Sequence, residues 1–308
     1  MDARERFTLK PGDLTEVTDS VTKFNPHHGA DGRFASGGGG GGASMVAPST
    51  NPRSGMGDIP LDESVVGDMQ GGSAAPHIVK DANGNYMFTP ERQALHDKII
   101  KESLDGVPSS SDPTYVMMGG GPAAGKSSVL GSGQLDVPKD TVEINSDLIK
   151  EKLPEWKTAG DARASFTHEE SSYLAKRTQA AAFERKQNVL LDGTGDTSPA
   201  SMNKKIDAAR NAGYKVEAHY VTLPTELAVK NAKIRGDKTG RYVPEEFIRA
   251  THAGVSQTFP AIAHKFDKVK LYDTSVQGKP RLIFSGTKGV SDVIDPKAYN
   301  DFLAKGKQ

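Results

Sequence analysis

The stretch Gly120-Gly121-Pro122-Ala123-Ala124-Gly125-Lys126-Ser127 constrains this chain more than any other, because it matches G-x-x-x-x-G-K-[ST] at every fixed position. A loop of this kind works in one setting, after an apolar strand and at the start of a helix. Thr114 to Met118 supplies the strand, and the pattern predicts a short helix from about Gly125. The glycines let backbone N–H groups turn inward around phosphates, and the helix N-terminus adds a favourable dipole. Lys126 is placed to reach β- and γ-phosphates, and the Ser127 hydroxyl to hold magnesium. Gly120, Gly121, Pro122, Ala123, Ala124, Gly125, Lys126, Ser127 and Ser128 are therefore the expected ATP-binding residues. Chance produces such a string in roughly one in a hundred chains of this length.

Around the loop the sequence alternates between the two periods of regular structure. Strands are expected at 142–145, 188–191, 216–221 and 269–272, with a further one at 282–284. Helices are expected at 147–153, 166–186, 199–211, 225 to about 234, and 244–263. Upstream, the turn-rich Asp81-Ala82-Asn83-Gly84-Asn85 separates two short apolar runs and reads as a hairpin. Thr89 then caps a helix with Pro90 at its first position and Leu95, Ile99 and Leu104 roughly along one face. The fold class is α/β: a P-loop NTPase-like, mostly parallel sheet with helices on both faces.

The first part of the chain is different. An unbroken glycine run from Gly37 to Gly42, followed by scattered Pro, Ser and Gly, cannot bury enough apolar surface to fold. Residues 1–76 are expected to be a disordered Gly/Ser/Pro-rich segment, and residues 77–308 one domain with a core at about 88–275. His27 and His28 lack a second ligand pair nearby and read as solvated linker. The 39 basic and 39 acidic residues cancel, which gives no support for a general nucleic-acid or anionic-membrane surface. With no cysteine, disulfides and thiolate zinc sites are excluded. No apolar run approaches a membrane span, and the N-terminus lacks a secretory h-region, so a cytoplasmic location is expected.

Ligands of open parallel sheets bind beyond the C-terminal ends of the strands, so acids there carry most weight. Asp147 follows the second expected strand and Asp192 ends the third. Phosphoryl transfer to a hydroxyl needs a carboxylate to take its proton, and Asp147 is the candidate base; it would also serve as a helix-capping residue. Asp192 could hold magnesium through water, with Gly193-Thr194-Gly195 bringing backbone and a hydroxyl close to a ligand. Arg235 and Arg241 flank a glycine-containing turn between two helices. They read equally as cations of a lid over the migrating phosphoryl group or as a solubilising loop. His168-Glu169-Glu170 opens the long helix, but H-E-x-x-H would need histidine where Ser172 stands.

Over about residues 88–275 these motifs resemble the zeta-toxin family of P-loop kinases. The resemblance rests on Gly119 to Ser128, Asn145-Ser146-Asp147, His168 to Ser172, Leu191-Asp192-Gly193-Thr194-Gly195 and Gly240-Arg241-Tyr242-Val243-Pro244. It implies ATP and Mg2+ as cofactors at Lys126 and Ser127. It also implies Asp147 as catalytic base, Glu170, Asp192 and Thr194 at the acceptor, and Arg235 and Arg241 at the phosphates. The implied acceptor is a nucleotide sugar such as UDP-N-acetylglucosamine. An acid that family members carry within the long helix is replaced in its middle by Lys176 and Arg177. Separately, Phe24 to Gly42 resembles linkers of bacteriophage head proteins, which implies a phage origin and a virion-associated location. Two functions follow: a toxin-like kinase held by an antitoxin protein, with a dinucleotide or nucleic-acid end as alternative acceptor; or a module tethered to a phage capsid or antitoxin that binds nucleotide without turnover.

Overall fold

The computed structural model describes residues 59–195, 197–239 and 242–307. His27, His28 and the Phe24 to Gly42 stretch lie outside the described residues, as does Arg241.

Folded chain begins earlier than residue 77. Helix α1 (Glu63–Asp68) is followed by a hairpin of β1 (Ile78–Lys80) and β2 (Tyr86–Phe88), whose turn is closed by Asp81 accepting from the backbone of Asn83 and Asn85. Leu61, Val66, Met69 and Ala74 bury themselves with Phe88 in a small cluster of their own. The expectation of disorder up to residue 76 is therefore corrected for residues 59–76. Their apolar side chains are too few and too irregularly spaced to read as an amphipathic element, yet they suffice against the Phe88 ring. Helix α2 (Pro90–Leu104) starts as expected, with the Thr89 side chain accepting from the Arg92 N–H at 3.4 Å.

From there strands and helices alternate: β3 (Thr114–Gly119), α3 (Lys126–Leu130), β4 (Thr141–Asn145), α4 (Ser146–Lys152), α5 (Glu155–Thr158), α6 (Arg163–Phe166), α7 (His168–Glu184) and β5 (Asn188–Asp192). Next come α8 (Pro199–Asn211), β6 (Lys215–Thr222), α9 (Thr225–Thr239), α10 (Glu245–Ile262) and β7 (Lys268–Asp273). The chain finishes with β8 (Arg281–Thr287), β9 (Val290–Val293) and α11 (Pro296–Ala304). The order in the seven-stranded sheet is β4-β5-β3-β6-β7-β8-β9. Strands β4 to β7 pair in parallel through β3, whereas β8 and β9 add antiparallel at one edge. The expected strand at 282–284 is thus longer and runs against its neighbours. Helix α9 also runs past residue 234, its expected end.

The two faces of the sheet are covered unequally. Tyr115 and Met117 of β3 and Val216, Ala218 and Tyr220 of β6 face a large core built with α2, α7, α8, α10 and α11. Val116, Met118 and Leu190 point the other way, onto Leu130 of the short α3 and onto Leu135 and Val137 of the stretch after it. Central strands buried on both faces explain the near-continuous apolar runs in the sequence. Helices α2 and α7 precede β3 and β5 and return against the sheet, so their N-termini lie at the edge where the strands end.

Candidate active site

The phosphate loop grows out of the last residue of β3. Gly125 is in the left-handed region at φ 85°, the N-cap of α3, where a side chain would be strained. A Cβ on Gly121 would lie 2.3 Å from His252 Cδ2, so only glycine lets the loop pass that ring. His252 is buried on α10, and its Nε2–H donates to the Pro122 carbonyl at 3.0 Å. Burial pushes the imidazole down to about 4, against the opposing effect of the Pro122 hydrogen bond, so it supports the loop as a neutral ring. Thr274, just past β7, donates its hydroxyl to the Ala124 carbonyl at 2.6 Å. On the other side, the Gly120 N–H donates to the Thr194 carbonyl at 2.7 Å, joining the loop to Gly193-Thr194-Gly195.

Of the residues expected to act, Lys126, Asp147, Asp192 and Arg235 lie around this loop. Lys126, at the first position of α3, donates to the Gly120 carbonyl at 3.2 Å. Burial lowers its pKa, opposed by the charges of Asp192 and Asp147 and reinforced by Arg235. Those three charged groups are thus close enough to act on this one amine. Asp192 ends β5 and receives a 2.9 Å hydrogen bond from Asn145 Nδ2 on its Oδ2. Its other oxygen, Oδ1, is buried without a hydrogen-bond partner among the described residues. Burial raises the Asp192 pKa, with Lys126 lowering it and Asp147 raising it further.

Asn145 has a second task. Its Oδ1 accepts from the Asp147 N–H at 2.9 Å, capping α4 and fixing where Asp147 leaves the strand. The Asp147 carboxylate is half-exposed, and the buried Lys150 ammonium donates to its Oδ1 at 3.0 Å. Asp147 therefore presents its carboxylate at the strand ends, braced from within by a cation. Arg235 is half-buried on α9, and Tyr242 folds back over the same turn: a Cβ on Gly236 would lie 2.5 Å from its ring. Ser127 and Thr194 are exposed beside the loop.

Glu170, expected to touch the acceptor, has a different place. It is 1 % exposed, and both oxygens are taken. Arg92 Nε and His96 Nε2 lie 2.6 Å from Oε1, while Arg92 Nη2 and Ser73 Oγ reach Oε2 at 2.6 and 2.5 Å. Burial alone would raise this carboxyl, but the hydrogen bonds from His96 and Arg92, the Arg92 charge and Ser73 hold it at about 2. Its role is to lock the N-terminal hairpin region onto α7, and the apparent match to an acceptor acid is corrected accordingly. His252, Thr274, Lys150 and Asn145 are the site residues that sequence reasoning passed over. Asn145 alone left a local signal, an Asx cap directly before a helix at a strand end.

Among the described residues no group of three or more His, Asp or Glu side chains is arranged to hold a metal. The groups suited to a phosphate-bound cation are the Ser127 hydroxyl and the unpartnered Asp192 Oδ1. No helix of the described residues is long and apolar enough to cross a membrane.

Comparison with known proteins agrees with this layout. The family model described as Zeta toxin matches residues 97–282. No curated protein matches the chain. Among solved structures, the AvrRxo1-ORF1:-ORF2 complex with ATP superposes with a TM-score of 0.58 at 17 % identity, over 71 % of this chain and 74 % of that one. The same complex in its native form covers 83 % of each chain at 16 % identity and a TM-score of 0.57. The PezAT chromosomal toxin–antitoxin system of Streptococcus pneumoniae gives 0.53 at 17 % identity, over 71 % of this chain and 95 % of that one. At such identities the structures speak for the fold. With the family model spanning more than half of the sequence, this chain belongs to the zeta-toxin family.

Proposed function

We propose that the chain is an ATP-dependent kinase that moves the γ-phosphoryl group to a hydroxyl of a small molecule, in the manner of a toxin held by a protein partner. The observation that carries this reading is the grouping of Lys126 on the phosphate loop with Asp192 and Asp147, which Asn145 ties together at the ends of β5 and β4. A nucleotide-binding module without turnover needs the loop and its lysine; it has no use for a braced, half-exposed carboxylate at Asp147.

In the proposed reaction the loop N–H groups and Lys126 hold the phosphates, and Arg235 and Arg241 cover the migrating group. Asp147 takes the proton of the acceptor hydroxyl as its oxygen forms the new bond to phosphorus and the bridging oxygen of ADP leaves. Magnesium, when bound, neutralises charge on the phosphates; Ser127 and, through water, Asp192 are the residues that would hold it. Thr194 would contact the acceptor, and a nucleotide sugar such as UDP-N-acetylglucosamine is the first acceptor to test. Support for ATP comes from the AvrRxo1 complex solved with it, and support for a neutralising partner from the PezAT toxin–antitoxin system.

The test is phosphoryl transfer from labelled ATP to a panel of nucleotide sugars, dinucleotides and nucleic-acid ends. Label in a nucleotide sugar is expected. Intact ATP binding with no labelled acceptor anywhere in the panel would sink the kinase reading and leave the binding module.

A further inference from the structure

The C-terminal turn, residues Lys305–Lys307, lies beyond the residues that the family model matches, yet it reaches the strand end that supports the phosphate loop. It docks on α10, where Ser256 Oγ donates to the Phe302 carbonyl at 2.5 Å and Gln257 Nε2 to the Gly306 carbonyl at 2.6 Å. This seating delivers the Lys305 ammonium to the end of β6. There it donates to Thr222 Oγ1 and to the Leu223 carbonyl, both at 2.5 Å.

Those two residues are what the crest of the loop leans on. The Thr222 carbonyl accepts from the Thr274 N–H at 2.8 Å, and the Thr274 hydroxyl reaches the Ala124 carbonyl. The Leu223 side chain belongs to a buried cluster with Ala228, Ala232 and Ile248, against which Ala123 packs. Ala123 holds a left-handed φ of 56° that its Cβ resists, so it needs external support to keep that shape. We propose that Lys305 is a positioning residue of the nucleotide site, fixing the Thr222–Leu223 strand end so that Ala123 and Ala124 keep the phosphate-binding conformation.

The environment fits such a role better than plain packing. Burial pushes the amine down to about 8, only partly offset by the charge of Asp273 across the end of β7. An ammonium held where burial disfavours it is retained for what it orders, since a hydrocarbon would fill the space at less cost. The inference rests on the proposed function, because it assigns Lys305 to the donor half of that site.

The experiment compares the full chain with Lys305→Met, Lys305→Arg and Thr222→Val, measuring ATP binding by calorimetry and melting temperature without nucleotide. No acceptor is needed. Lys305→Met is expected to weaken ATP binding roughly tenfold, because only part of the energy of the two lost hydrogen bonds is passed on to the loop. Thr222→Val should weaken it less, and Lys305→Arg should stay within about threefold of the unaltered chain because a double donor is kept. Equal affinities for Lys305→Met and the unaltered chain overturn the proposal, as does a lowered melting temperature with affinity unchanged. Should Lys305→Met fail to fold, unaltered affinity in Thr222→Val overturns it instead. No ATP binding by the unaltered chain would overturn the proposed function, and Lys305's role with it.

Discussion

At the scale of single residues, the conformation of the phosphate loop is legible because its signal is local. Four fixed positions within eight consecutive residues, each with its own stereochemical job, need no tertiary information. The supports of that loop were not legible, because they meet it only through space. His252 stands 130 positions from the carbonyl it holds, and an isolated histidine in a helix carries no mark of that use. Two outcomes test this level. Asp147→Asn keeps the shape but loses the proton acceptor, so turnover should fall by about 10²- to 10⁴-fold with ATP affinity unchanged. Steady-state rates and ATP calorimetry on the same preparation check this. Gly121→Ala should do the reverse, since its methyl group would collide with the His252 ring. ATP binding is expected to become undetectable by calorimetry while the acceptor side stays intact.

The element scale shows why Glu170 misleads. Acids in the first turn of a helix are favoured by its dipole, whatever else they do, and two adjacent acids at the start of α7 look alike in sequence. Only the fold separates them, by bringing Arg92 and His96 from α2 and Ser73 from the N-terminal region onto one carboxylate. Glu170→Gln takes one of two carboxylates from the buried Arg92 guanidinium, which keeps its pair with Glu155, and a loss of about 1–3 kcal/mol is expected from urea unfolding. The pH dependence has a definite sign. The folded carboxyl sits at about 2 against an ordinary 4.5, so its contribution is complete above about pH 4.5 and is lost as pH falls towards 2. Acid titration of the unaltered chain should release the α1–hairpin region in that window, read as protease cleavage before residue 90, whereas Glu170→Gln should show no such step.

For the whole molecule, the parallel strands and their connecting helices could be read from alternation. Strand direction at the far edge could not, because period-two patterning is the same in either direction. The last helix escaped notice for a related reason: α11 is short, and its value lies in Phe302, which meets the Phe259 ring at 5.5 Å across the core. Phe302 is 2 % exposed, so Phe302→Ala should cost about 3–5 kcal/mol, measured by thermal or urea unfolding. The loss belongs to this scale because the helix closes the side of the core where the antiparallel strands join. Composition averaged over a long window predicts disorder at 59–76, because the four buried side chains of that stretch are too few to alter the average.

The hydrogen bond from the Gly120 N–H to the Thr194 carbonyl has a thermodynamic consequence. In the reaction we propose, donor and acceptor occupy opposite sides of this one hydrogen bond, so a shift in either loop is felt by the other. Their binding energies must then be linked, and linkage is reciprocal: whatever factor by which the nucleotide tightens the acceptor, the acceptor tightens the nucleotide by the same factor. A cell that supplies ATP in excess would thereby hold the acceptor loop in its competent shape before any acceptor arrives.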